Sequence, residues 1–168
     1  MIKHRTIAER EVFPIGLGVM ALDEYPPQAT TEEAKELLQY AIRQGITFMD
    51  TADVYGLGRN EELLGKALTE EQKEEILIAT KGGCTRPGGH GWDTDGRAVH
   101  LKKACRESLQ RLGLKQIFLY QLHAPDHRVP FAESITALKE LQEQKLIKHI
   151  GLSNVTLEQL QEAQKRIA

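Results

Sequence analysis

Apolar and polar positions along this chain alternate between two periods, and the alternation occurs five times. "FPIGLGVM" (13–20) reads as a short buried strand with two glycines. "TTEEAKELLQYAIRQG" (30–45) follows, with Ala34, Leu37, Leu38, Ala41 and Ile42 recurring on one helical face. Thr30 with Glu33 forms a capping box there, and Gly45 is a natural stop. "ITFMD" (46–50) is the next strand, ahead of a short helix "NEELLGKAL" (60–68) with Asn60 as its expected N-cap and acids in its first turn. "EILIATK" (75–81) is the third strand. The glycine-rich "GGCTRPGGHGWDTDG" (82–96) reads as a flexible loop before the helix "VHLKKACRESLQRLG" (99–113). "QIFLYQLH" (116–123) pairs with a helix over 129–146, with Pro130 expected at its first position. "IKHIGLSN" (147–154) pairs with a helix over 156–168, capped by Thr156 and Gln159. A small hairpin turning near Ala8 is expected over 4–12.

Successive strand-then-helix units imply an α/β fold with parallel strands and right-handed crossovers. Near-continuous apolar strands fit a sheet covered on both faces. The length, 168 residues with no linker or repeat, predicts one domain over 1–168. Composition then narrows the partners. The 22 basic and 24 acidic residues leave a net charge of −2, which favours neither nucleic acid nor an anionic membrane. Aromatics at 5% argue against base-stacking surfaces. Cys84 and Cys105 have no metal-ligand spacing and make no disulfide framework, which points to a reduced, cytoplasmic protein. "MIKHRTIAER" lacks a signal-peptide core, and no apolar stretch approaches the ~20 residues of a membrane helix.

The candidate chemistry sits at the strand ends. Asp50 ends the second strand, with Tyr55 just beyond it; Lys81 ends the third and His123 the fourth; Ser153 and Asn154 end the fifth. In a parallel α/β array these ends open on one face, where ligands bind. Each residue alone has a bland reading. Asp50 is a turn residue in "DTAD", Tyr55 a surface aromatic, Lys81 an ordinary strand-end lysine and His123 a satisfied core histidine. Their shared address reverses those odds. Asp50 can hold a buried Lys81 ammonium, and that ammonium favours the phenolate of Tyr55, making it a usable proton donor near neutral pH. His123 can hydrogen-bond and orient a substrate oxygen. The set suits protonation of a carbonyl oxygen as hydride arrives at carbon.

Four stretches, "GITFMDTADVYGLGRNEELLGKAL" (45–68), "LIATKGG" (77–83), "LYQLHAPD" (119–126) and "IGLSN" (150–154), closely resemble the aldo-keto reductase family. The resemblance runs from about residue 4 to the end of the chain. It implies a (β/α)8 TIM-barrel type of fold, preceded by the hairpin, and NADPH-dependent reduction of aldehydes and ketones. Asp50, Tyr55, Lys81 and His123 match the family's catalytic four, with Tyr55 as general acid in reduction and base in oxidation. Ser153 and Asn154 match the pair that binds the nicotinamide carboxamide. Asp50 matches a contact to the nicotinamide ribose, and Gly18 and Met20 are expected to border the NADP cofactor. "RPGGHGWDTDG" is similar to a loop that varies with substrate, which makes His90 and Trp92 candidate substrate contacts. A small-molecule carbonyl is the implied partner.

The family pattern also sets expectations by what is missing. A closed barrel usually runs to about 200 residues or more. The chain supplies the first five βα units, so an incomplete barrel is expected, without the family's pyrophosphate and 2′-phosphate contacts and with weak NADPH affinity. Strands one and five become open edges, where Ile15, Leu17, Ile150 and Leu152 lose the opposite wall and self-association is an expectation. Val19 stands where relatives commonly carry threonine. The alternative reading is a non-catalytic interaction or regulatory protein on the same scaffold. The remaining motifs read blandly. "HAPDH" (123–127) lacks metal-ligand spacing on a helix face, so no metal is expected. "GGCTRPGGHG" lacks the GxxxxGK phosphate-loop pattern, "KKACR" is a solvated helix face, and nothing near Cys84 marks a nucleophile.

Overall fold

The five βα units expected from the pattern are all present in a computed structural model, which describes residues 3–24 and 28–167. β1 (Arg5–Ile7) and β2 (Arg10–Val12) form the expected antiparallel hairpin, with Ala8 in its turn at φ 50°. β3 (Leu17–Gly18), β4 (Phe48–Asp50) and β5 (Leu77–Gly82) open a parallel sheet. β6 (Cys84–Thr85) and β7 (Asp93–Thr94) pair antiparallel inside the loop that the sequence reads as flexible. β8 (Ile117–Leu122) and β9 (Ile147–Leu152) complete the parallel sheet, whose order is β3-β4-β5-β8-β9. The helices are α1 (Ala21–Glu24), α2 (Thr31–Arg43), α3 (Arg59–Ala67), α4 (Glu70–Glu75), α5 (Ala98–Leu112), α6 (Phe131–Glu143) and α7 (Leu157–Ile167). Among the described residues no helix is long and apolar enough to cross a membrane.

Local chemistry explains most boundaries. Thr30 Oγ1 accepts from Glu33 N at 3.3 Å while Glu33 Oε2 accepts from Thr30 N at 2.9 Å, so the capping box ahead of α2 is formed. Thr156 and Gln159 make the same exchange ahead of α7. Thr69 and Gln72 make it ahead of α4, a helix that the sequence reading passed over. Two expected caps are corrected. The N-cap of α3 is Gly58 at φ 94°, and Asn60 lies one residue inside the helix with its side chain turned to the core. Pro130 is the N-cap of α6 rather than its first residue. The first strand also shrinks from 13–20 to two residues, because an edge strand has a partner on one side only and Ile15 is 62% exposed.

The core lies between the sheet and its helices. Leu38 of α2, Leu64 of α3 and Leu112 of α5 pack on Met49 and Ile78. Leu101 and Leu109 of α5 and Leu138 and Leu141 of α6 pack on Tyr120 and Leu122. Burying each such side chain contributes roughly 1.5–3 kcal/mol. Every residue of β5 is buried, whereas β9 is largely half-buried, so stability concentrates at the centre of the sheet. Strand alternation then turns Asp50, Lys81 and Gln121 away from Met49, Thr80 and Tyr120, onto the face without helices. Gln121 aligns with Lys81 on one side and Gly151 on the other. A Cβ on Gly151 would lie 2.6 Å from Gln121 Cγ, so this glycine makes room for the glutamine.

The hairpin runs beneath the N-terminal ends of the strands. Arg10 Nη2 donates to Glu75 O at 3.0 Å, just before β5, and Phe13 N donates to Thr47 Oγ1 at 2.9 Å, just before β4. Glu9 forms an ion pair with Lys148 and lies 2.9 Å from His149 Nε2, both residues being in β9.

Candidate active site

The segment after β4 is built to present one phenol. Thr51 N donates to Ala79 O at 2.9 Å and Asp53 N to Lys81 O at 3.1 Å, so pairing with β5 continues past the strand. The chain then tightens at Tyr55–Gly58, with Gly56 at φ 53° and Leu57 at φ 54°. Only glycine fits at 56, because a Cβ there would lie 1.5 Å from Asp23 Oδ2. Leu57 holds the left-handed conformation at a cost of about 1–2 kcal/mol. Asn60 braces this turn from behind. It accepts from Thr51 Oγ1 at 2.7 Å and donates to Val19 O at 2.8 Å. The apolar Val19 therefore serves through its carbonyl, with its side chain 2% exposed.

A second buried network backs Lys81. Glu61, fully buried, accepts from Thr80 Oγ1 at 2.5 Å and from Arg111 Nε at 2.7 Å. Burial, with the Glu61 charge adding to it, pushes the neighbouring Asp53 carboxyl up to about 8.

The four strand-end residues come together. Lys81 is 7% exposed, and its Nζ donates to Asp50 Oδ2 at 2.6 Å and to Thr51 O at 2.8 Å. The same nitrogen lies 3.4 Å from Tyr55 Oη. Gln121 Nε2 donates to the other Asp50 oxygen at 3.1 Å. His123 stands edge-on to Tyr55, with ring centroids 5.7 Å apart, and its Nδ1 is buried without a partner among the described residues. Both loop residues are exposed, and of the two Trp92, at 55%, reaches the cluster, 6.2 Å from His123 between centroids.

Ser153 and Asn154 arrive from β9. Ser153 N donates to Leu122 O at 2.9 Å, and Asn154 Nδ2 donates to His123 O at 2.8 Å and to Ser153 Oγ at 3.1 Å. Asn154 holds a left-handed φ of 56°, which asparagine tolerates better than most residues. Gly18 aligns with Asp50 at the end of β3, and Met20 packs with Cys84 on the buried group of Ala52, Val54 and Tyr55. Gln121 and Asn60 were missed by the sequence reading. Gln121 left a signal, as a polar residue inside an apolar strand two positions before His123.

Burial first, and the Lys81 charge second, push the His123 imidazole down to about 4, with Asp50 opposing them. It is therefore neutral at pH 7. Between about pH 6.5 and 4 the unfolded chain takes up a proton that the folded chain refuses. The stability His123 contributes is complete above about 6.5 and is lost as pH falls toward about 4. Asp53 slopes the other way as pH rises from 3.8 toward about 8, so the two partly offset each other in the wild-type curve. Denaturation at a series of pH values should show that His123→Asn removes the His123 contribution between about 4 and 6.5. Parallel curves for the two proteins would assign that titration elsewhere.

Comparison with known proteins agrees with this architecture. The model of the aldo/keto reductase family matches residues 14–168. "Probable aldo-keto reductase 1" from Glycine max is 38% identical over 154 residues, covering 91% of this chain and 44% of the relative. "Uncharacterized oxidoreductase YqkF" from Bacillus subtilis (strain 168) is 35% identical over 149 residues, covering 88% of this chain and 47% of the relative. The solved holo form of aldo-keto reductase AKR11C1 from Bacillus halodurans superimposes with a TM-score of 0.85 at 32% identity, covering 99% of this chain and 55% of that one. The chain thus spans about half the length of the curated relatives it matches. Its parallel sheet is that part of a TIM-barrel type of fold. With the family's sequence pattern running through all five βα units and the same backbone course as a solved reductase, the chain belongs to the aldo/keto reductase family.

Proposed function

We propose that this chain carries the proton-transfer machinery for NADPH-dependent reduction of aldehyde and ketone carbonyls. The observation behind the reading is the Lys81 ammonium between Asp50 and Tyr55, at 2.6 and 3.4 Å. Tyr55 is the general acid in reduction and the base in oxidation. Its proton goes to the carbonyl oxygen, and the charge left on the phenol oxygen is held by the adjacent ammonium. Asp50, itself gripped by Gln121, offsets the cost of burying that ammonium. Neutral His123 donates a hydrogen bond to the same carbonyl oxygen and orients it.

The residues present fit the nicotinamide end of the cofactor. Asn154 commits its amide nitrogen to His123 O and Ser153 Oγ, which leaves the amide oxygen to accept from a carboxamide. Ser153, Asp50, Gly18 and Met20 share the same strand-end face. The buried, unpartnered Nδ1 of His123 is a polar atom that a bound molecule would satisfy. When bound, the nicotinamide supplies the hydride to the carbonyl carbon. The holo form of the similar reductase from Bacillus halodurans supports a bound cofactor. The test is loss of NADPH absorbance on adding a generic aldehyde, together with shifts of the Ser153 and Asn154 amide resonances on adding NADPH alone. Absence of both responses would defeat the reading and favour the non-catalytic alternative.

A further inference from the structure

The loops after β5 and β8 are fastened to one another. Asp126, three residues beyond His123, is 6% exposed and has both carboxylate oxygens engaged. Its Oδ1 accepts from Arg128 N and Nε, each at 2.9 Å, and its Oδ2 accepts from Gly96 N at 3.2 Å. The Arg128 guanidinium also reaches the β6–β7 hairpin, where it donates to Asp93 Oδ1 at 3.0 Å and to the carbonyl of Thr94. Ser134 of α6 adds a bond from its hydroxyl to Gly96 O at 2.7 Å. The clamp stays charged through mildly acid pH, because Arg128 holds the Asp126 carboxyl well below the usual carboxylate range.

A hairpin whose strands have two residues each has little stability of its own, so its shape depends on this grip. The loop it carries holds Trp92, the chain's single tryptophan. The Trp92 ring stands edge-on to His123, and the Arg86 guanidinium lies over its face, 4.2 Å from the centroid. We propose that Asp126 and Arg128 are positioning residues: by clamping the β6–β7 hairpin they hold Trp92 against His123, as an aromatic wall beside the reacting carbonyl. The wall's use in catalysis rests on the carbonyl-reductase reading; the clamp itself does not.

The charged and titratable groups that face His123 are Lys81 from β5, Asp50 from β4 and Tyr55 from the turn after it. None of them is held by the clamp, whereas Trp92 is. The experiment is Arg128→Ala in the whole chain. Tryptophan emission then reports on Trp92 alone. The ring is already half-exposed, so the main expected reading is a rise in acrylamide quenching, with a small red shift, as its contacts with His123 and Arg86 are lost. The His123 titration, followed by nuclear magnetic resonance, should rise from about 4 toward 6.5, since loss of cover lets the imidazolium hydrate. Unchanged emission and an unchanged His123 midpoint in a folded variant would overturn the proposal. If Arg128→Ala does not fold, Asp93→Ala releases the hairpin from a half-exposed position and is judged by the same readings. Neither reading needs turnover, so failure of the clamp and failure of carbonyl reduction are told apart.

Discussion

Replacing Tyr55 by phenylalanine is expected to lower carbonyl turnover by about 10²–10⁴-fold, the usual worth of a positioned general acid. The fold should survive. The ring is 8% exposed and packs on Ala52 and Val54, contacts that phenylalanine keeps. Among the described residues the hydroxyl's bond is the long one to Lys81, at 3.4 Å, so its removal should change stability by less than about 1 kcal/mol. Rate measurements paired with thermal denaturation separate the two effects. Turnover equal to wild type would remove Tyr55 from the mechanism, and a large loss of stability would mean that the phenol has a structural role instead.

The largest loss of stability is expected at Arg111. Its guanidinium is the partner of Glu61, whose side chain is wholly buried between α3 and β5. Arg111→Ala strands that carboxylate without a counter-charge, which costs about 3–5 kcal/mol. The same loss removes the positive charge that opposes Glu61 at the already raised Asp53 carboxyl. Adding Glu61→Gln should restore part of the loss, because the orphaned charge goes with it. Urea denaturation of the two single variants and the double measures the coupling. A cost under about 1 kcal/mol for Arg111→Ala would show that the Arg111–Glu61 pair contributes no more than a surface ion pair.

What the sequence made legible depended on how far each feature reaches. Helices started by a local exchange, such as Thr30 with Glu33, stood out, because four residues contain the whole signal. Thr69 with Gln72 carried the same signal and was overlooked. The strand ends were legible too, since alternation and order suffice to bring Asp50, Lys81 and His123 to one rim. Features made by distant partners were hidden. Asn60 looked like a cap, but the left-handed turn before it starts the helix earlier and frees its amide for Thr51 and Val19. Glu61 read as an ordinary first-turn acid, and only the fold brings Thr80 and Arg111 to meet it. The β6–β7 hairpin depends on Arg128, some thirty-five residues away, so no reading of its own residues finds it.

The strap beneath the sheet has a consequence for synthesis. Arg10 and Phe13 can find Glu75 and Thr47 early, but Glu9 meets Lys148 and His149 only once the last strand of the sheet has emerged from the ribosome. Between those two events the hairpin is fastened on one side only, so its docking is completed in two stages as translation proceeds.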